Sequence, residues 1–369
     1  MVNTMKKISL IICLIFFMII SSLSIYSSSF LLSSSYKYLY LKQIIWYFIS
    51  FLIIYIIYKQ KKEFFYKYSL YLYILGNLLL LLVLFFGTTT NGARCWFNIK
   101  GISIEPSEFM KVFLIITLSS ILDNYKNLKR NFKNEILVII KTFLLVLIPA
   151  FLTFLEPDTG MVLIYLLIYI TMLFVYGIRY RWYILSILII SISIFSFIYF
   201  YTNYKDSFIN LFGTNFFYRM DRIFDWQNQT GMQLSNALAS IGTASLFGYG
   251  IGKIPIYYPE PHTDFIFTSL ISTFGFVFTV FFILVLIYFD ICLIRIALKE
   301  KYKNKYFISG VISIILFGQI QNIGMNIGLL PITGITLPFI SYGGSSLITY
   351  MSLIGLILNL SKKDKKIKK

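Results

Sequence analysis

Long apolar runs alternate with short polar connectors along the whole chain. Crossing the hydrocarbon of a bilayer takes roughly 20 apolar residues of helix. By that measure the runs predict spans at 8–27, 43–58, 68–87, 108–123, 136–155, 158–177, 183–201, 264–293, 306–329 and 338–360. The pattern defines an all-α integral membrane protein of about ten transmembrane helices. It reads as a single polytopic membrane domain over 1–369, with one long extracytoplasmic loop, 202–263, between spans 7 and 8 and a basic tail at 361–369. Lys6 and Lys7, followed by an apolar run to Ile25, resemble a secretory leader. The length of the run, the want of a small-residue cleavage site and the spans that follow predict a retained first helix instead.

The connectors set the orientation. Lys59, Lys61, Lys62 and Lys67 form one basic cluster; Lys126, Lys129, Arg130 and Lys133 the next; then Arg179 and Arg181; then Arg295, Lys299, Lys301, Lys303 and Lys305. With the tail lysines and Lys6, Lys7 and Lys141, these hold most of the 33 basic residues on one side. Positive charge marks the cytoplasmic side, so both termini are expected there. The acids gather opposite: Glu105, Glu108, Glu156, Asp158, Asp206, Asp221, Asp225, Glu260 and Asp264 lie on or just below the outer side. Part of the long loop, 231–242, is apolar at helical spacing and is expected to lie on the membrane surface.

Composition narrows the class. The chain is 58% hydrophobic and 13% charged, against roughly a quarter charged in soluble domains. A net charge of +18 would suit nucleic acid on a single basic face, but charge dispersed between spans excludes that partner. Of three cysteines, Cys13 and Cys292 fall within spans and only Cys95 in a loop, so neither a disulfide framework nor a thiolate metal site is expected. The absence of an internal repeat weakens a reading as an inverted-repeat transporter.

The outer connectors carry the candidate chemistry. Asp264 follows Thr263, expected as an N-cap, which would place it in the first turn of the eighth span. There it is either a helix-start acid or a group that accepts a proton from a sugar hydroxyl or binds a divalent cation. Glu260 and His262 share that approach; the histidine is either a surface residue or a group that orients the acid or touches phosphate. Glu108 and Lys111 stand at i, i+3 just after Pro106, on one helix face, as a self-neutralising pair or as a phosphate site. Asp158 opens the sixth span in the same way. Arg94 and Trp96 are either interfacial anchors or a phosphate contact, and Arg219 and Arg222 either diphosphate or headgroup contacts. Asn322 and Asn326, each followed two residues on by glycine, suit close helix packing. Ser341-Tyr342-Gly343-Gly344 makes a hydroxyl-rich outer mouth to the tenth span.

Taken in order, these segments resemble the SEDS family (shape, elongation, division and sporulation proteins). The likeness is carried by Gly92 to Trp96, Pro106 to Lys111, Pro157-Asp158, Gln233 to Gly250 and Pro259-Glu260. It continues through His262-Thr-Asp-Phe-Ile-Phe267, Asn322 to Met325, Leu329 to Gly334 and Leu337 to Ser346. It is greatest to the elongation members, through Gln321 to Met325. The resemblance implies a glycosyltransferase at the outer face of the bacterial cytoplasmic membrane. Such an enzyme joins lipid II into glycan, inverts the anomeric centre and releases undecaprenyl diphosphate; a lipid II flippase and a non-catalytic scaffold are the alternatives.

It further implies Asp264 as the base, Glu108 and Lys111 as catalytic partners, and Arg94, Trp96, Asp158, Glu260, His262, Ser341 and Tyr342 against the substrate. A divalent cation, Mg²⁺ or Mn²⁺, is implied with Asp264 and Glu105 as candidate ligands, and no organic cofactor. The implied partners are a class B penicillin-binding protein, the elongation machinery and membrane lipids. The chain departs from the family pattern in carrying Glu105 and Glu156 in place of glutamine, and Ile271 to Gly275 in place of an acidic pair.

Overall fold

The computed structural model describes residues 2–90, 93–99, 101–214 and 231–362. Arg219, Arg222 and the lysines beyond Lys362 lie outside these. Long helices occupy all ten predicted spans: α1 (Val2–Ser29), α2 (Leu39–Lys59), α4 (Ser69–Phe86), α5 (Pro106–Asn124), α6 (Phe132–Leu155), α7 (Thr159–Tyr176), α8 (Tyr180–Asn203), α11 (Ile266–Ala297), α12 (Tyr302–Asn326) and α13 (Gly344–Leu360). Three shorter helices join them: α3 (Phe64–Lys67), α9 (Lys205–Phe212) and α10 (Met232–Thr243), the last in the stretch of the long loop expected to be helical. Eight of the ten are long and apolar enough to cross a membrane by length and composition alone. The exceptions are α13, which has 17 residues, and α5, which carries Glu108, Lys111 and Asp123.

The apolar faces meet in one large core, in which α2 packs on α13, α12 on α7 and α5, α4 on α5, and α1 on α11. By contrast, none of the apolar window of α8 is buried. Lys7 Nζ donates to the carbonyls of Leu358 (3.3 Å) and Ser361 (3.1 Å), so the start of α1 and the end of α13 share one face of the bundle.

Three features depart from the sequence reading. The connector after α4 is a small antiparallel sheet in the order β1 (Thr88–Thr90), β2 (Ala93–Ile99), β3 (Ile102–Ile104), with Thr88 opposite Trp96 and Phe97 opposite Ile104. The tenth span begins at Gly344, not 338. Residues 331–343 form no regular helix and fold into the bundle, where Phe339 inserts between Phe17 (5.9 Å between ring centroids) and Phe289 (5.3 Å). Buried polar groups of α1 and α2 satisfy its backbone: Ser21 Oγ donates to Ile340 O (2.6 Å), Gln43 Nε2 to Ser341 O (3.2 Å) and Tyr47 OH to Phe339 O. Backbone that leaves a helix at membrane depth needs such partners, because lipid offers none.

The third departure is a break in α11 at Gly275 (φ 80°, ψ 176°). The break frees carbonyls on one side and amides on the other. The loop after α10 takes up both sets: Tyr249 N donates to Ser272 O (2.8 Å) and Gly250 N to Thr273 O (3.1 Å), while Phe276 N donates to Ser245 O (3.3 Å) and Val277 N to Leu246 O (3.2 Å). The two backbones approach so closely that a Cβ on Gly275 would lie 2.3 Å from Leu246 O, and one on Gly248 2.5 Å from Thr273 O. Glycine at both positions is what permits the joint.

Candidate active site

The first group of charges collects where α5 and α7 begin. Pro106 occupies the first turn of α5, where a missing N–H costs nothing. Glu105 precedes it in extended conformation without capping the helix. Its carboxylate instead accepts from Trp96 Nε1 (3.1 Å) and Ser107 Oγ (3.0 Å), and its N–H donates to Ser345 Oγ (3.1 Å). One turn on, Lys111 Nζ lies 2.7 Å from Glu108 Oε2, with both side chains sealed from solvent. The same ammonium stands 4.8 Å from the centroid of the Tyr350 ring. Asp158 caps α7 by accepting from Met161 N (3.1 Å). Glu156, just before it, is fully buried; its carbonyl accepts from Cys95 Sγ (3.2 Å), and neither carboxyl oxygen has a hydrogen-bond partner.

Four carboxyls thus share one lysine, and burial raises three of them, Glu105, Glu156 and Asp158. Burial, then the neighbouring Glu108 and Asp158, pushes Glu105 up to about 8. Burial first, and then Asp158 and Glu105, raises Glu156 to about 9. Asp158 rises to about 6, chiefly through burial.

The second group surrounds Asp264. The expectation that Thr263 caps the helix with Asp264 in its first turn is corrected: α11 begins at Ile266, Phe265 holds the N-cap position without a side-chain bond, and Thr263 Oγ1 donates to Glu260 Oε2 (2.8 Å). Asp264 therefore sits in the turn before the helix, half-buried. Burial first, and then the charge of Glu260, lifts its carboxyl to about 7. His262 is buried between the rings of Tyr36 and Tyr342, each 5.7 Å away between centroids, and its Nδ1 has no hydrogen-bond partner. Burial lowers its pKa and keeps the imidazole neutral. Ser341 Oγ donates to Thr263 O (2.7 Å) and accepts from Leu337 N (2.9 Å), and Tyr342 N donates to His262 O (2.9 Å), tying the mouth of α13 to this turn.

The segment 333–335 joins the two groups. A Cβ on Gly160, at the start of α7, would lie 3.1 Å from Thr333 O, and one on Gly334 would lie 4.0 Å from Asp264 Oδ2. Glu108, Lys111 and Asp158 are thus brought together with Glu105 and Glu156. Asp264 stands with Glu260, His262, Ser341 and Tyr342, and residues 333–335 border both sets. Arg94 is exposed, and its Nη1 donates to Leu84 O (3.1 Å) at the end of α4. Among the described residues, no three His, Cys, Asp or Glu side chains lie close enough to hold a metal by themselves. Glu260 is near enough for its charge to bear on Asp264, and two carboxylates are the oxygen ligands a hard cation takes.

Asn322 and Asn326, expected to serve close helix packing, both donate to the Asp264 carbonyl. The sign that points to such a role is an amide pair four residues apart inside an apolar helix, since polar groups there need partners.

A multi-pass helical membrane protein with carboxylates, a lysine and a neutral histidine gathered at the starts of its helices is the class that fold and site define. The comparisons give the family. A model of the cell cycle proteins FtsW, RodA and SpoVE matches residues 3–366. Stage V sporulation protein E of Bacillus subtilis is 33% identical over 301 residues, 75% of this chain and 73% of its own length. A probable peptidoglycan glycosyltransferase FtsW of Wigglesworthia glossinidia brevipalpis is 32% identical over 363 residues, covering 92% of this chain and 88% of its own. The fold superposes on a chain of a peptidoglycan synthase complex with a TM-score of 0.79 at 23% identity, covering 95% and 96% of the two chains. It superposes on the rod shape determining protein RodA of Thermus thermophilus with a TM-score of 0.66 at 25% identity, covering 94% and 95%. The chain belongs to this family of cell cycle proteins, the SEDS family, and is a multi-pass protein of the bacterial cytoplasmic membrane.

Proposed function

We propose that the chain is a peptidoglycan glycosyltransferase that polymerises lipid II at the outer face of the membrane. The observation that carries this reading is the half-buried Asp264, with its carboxyl raised to about 7 at the mouth of the site. A base of that strength is half ionised near neutral pH and can both take and release a proton. Asp264 takes the proton of the acceptor sugar's 4-hydroxyl. That oxygen forms the new bond to the donor's anomeric carbon, the bond from that carbon to the diphosphate breaks, and its electron pair leaves with undecaprenyl diphosphate. Glu260, Ser341 and Tyr342 line the turn that holds the base, and the neutral His262 offers Nδ1 to a donor group of the substrate. Lys111, held by Glu108, supplies positive charge beneath Glu105 and Asp158. When bound, a divalent cation held by Asp264 and Glu260 would offset charge on the diphosphate.

A class B penicillin-binding protein is the proposed partner, in keeping with the likeness to a chain of a peptidoglycan synthase complex. For the cellular role we propose elongation and shape maintenance. The Gln321 to Met325 run and the fold likeness to RodA support it, whereas curated relatives carry division and sporulation names. Depletion separates these roles: rods that round and swell support elongation, and filaments refute it. Lipid II flipping would call for a site near the membrane midplane, and the groups here stand at helix starts. The biochemical test is glycan formation from labelled lipid II by purified protein with its partner. Products that persist under moenomycin, which blocks the unrelated penicillin-binding polymerases, support the proposal; no product with the matched partner present opposes it.

A further inference from the structure

Asp264 precedes a helix whose own N-cap residue cannot cap it. Phe265 occupies that position and has no side-chain acceptor for the first amides of α11, which a capping residue ordinarily satisfies. Asn326, on α12 and 58 residues on from Thr268, does so across the bundle: its Oδ1 accepts from Thr268 N (2.9 Å) and from Thr268 Oγ1 (2.8 Å). Its Nδ2 then donates to Asp264 O (2.9 Å) and to Asn322 O (2.8 Å). One turn earlier, Asn322 Nδ2 donates to the same Asp264 carbonyl (2.9 Å) and to Ile335 O (2.9 Å). Both asparagines are fully buried. Close packing asks for small side chains; it does not ask for two amides on one carbonyl.

The arrangement does two things. Two donors at a single carbonyl oxygen fix the peptide plane after Asp264, and with it the direction in which the carboxylate leaves the backbone. Asn322 also ties that peptide to Ile335, whose neighbour Gly334 faces Asp264 Oδ2, so the base and the segment opposite it are held in one register. We propose that Asn322 and Asn326 are positioning residues that aim the Asp264 carboxylate at its substrate. The proposal rests on Asp264 being the base. Neither amide touches substrate in this account; both act through Asp264.

The test is steady-state kinetics of full-length protein with its partner on labelled lipid II, for Asn322→Ala, Asn326→Ala, the double variant and Asp264→Asn. Rates are normalised to folded protein by thermal unfolding in detergent. Misaiming a base costs roughly 10- to 100-fold in kcat, with KM little changed. Because both amides serve one carbonyl, the double variant should lose less than the product of the two single losses. Wild-type kcat in folded Asn322→Ala and Asn326→Ala, with Asp264→Asn inactive, overturns the positioning role. Losses confined to KM, or to the folded fraction, overturn it equally. An active Asp264→Asn overturns the base itself, and so identifies which of the two readings has failed.

Discussion

Lys111 Nζ lies 2.7 Å from Glu108 Oε2 at the outer start of α5, and neither side chain reaches solvent. An ion pair so enclosed is costly to break, because removing one partner leaves the other charge buried alone. Lys111→Met and Glu108→Ala should each destabilise the detergent-solubilised protein by about 3–5 kcal/mol. Glu108→Gln combined with Lys111→Met should recover most of that loss, since no orphan charge remains, without recovering polymerisation. Thermal unfolding and product formation on the same samples check both parts. A double variant no more stable than either single one would mean that the pair is not the unit described.

The shared acids make stability depend on pH. Glu105 and Glu156 are raised to about 8 and about 9, above the ordinary glutamate value of about 4.3. The folded state therefore binds their protons more tightly than the unfolded state. Their contribution is complete below the ordinary value and disappears as pH rises through about 8 and then about 9. The melting temperature should fall across that window, and Glu156→Gln should flatten the upper part of the fall. A melting temperature that rises over the same range would contradict the protonated cluster.

The joint at the break in α11 allows no side chain. Because Cβ atoms at Gly275 and Gly248 would strike backbone rather than a movable side-chain end, and Gly275 also needs positive φ, Gly275→Ala and Gly248→Ala should each abolish or severely reduce folded yield. Gly242→Ala, where a Cβ meets nothing within 4 Å, should be accepted. Detergent-extractable monodisperse protein from membranes is the measure. Normal yield of the Gly275 variant would show that the two backbones are not so close.

What the sequence made legible is what depends on neighbours along the chain. Apolar runs marked the spans. The i, i+3 spacing placed Glu108 with Lys111, and Pro106 and Asp158 behave as helix-start residues should. The start of α11 lies beyond Thr263 because its cap comes from Asn326, on another helix, and no local signal carries that. The break at Gly275 was hidden for the same reason: a lone glycine in an apolar run reads as packing until the 245–250 loop is seen to satisfy the freed backbone. Residues 338–343 are apolar enough to read as membrane span, yet Phe339 serves the core while its carbonyl and the next two are bonded by side chains from α1 and α2. The three-residue strands β1 and β3 are too short for alternation to announce them. The meeting of residues 333–335 with both the start of α7 and Asp264 is a property of the tertiary fold alone.

The central claim is that Asp264 removes the proton of the attacking hydroxyl. The most direct measurement is the rate of glycan formation by Asp264→Asn beside wild type, in complex with the partner, under moenomycin and across pH. Asparagine keeps the size and the backbone bonds and loses the ability to take a proton, so the account predicts a loss of about 10²–10⁴-fold at unchanged folded yield. The wild-type rate should rise as pH increases through about 7 and Asp264 ionises. A rate for Asp264→Asn within a few-fold of wild type, with the same rise near neutral pH, would contradict it.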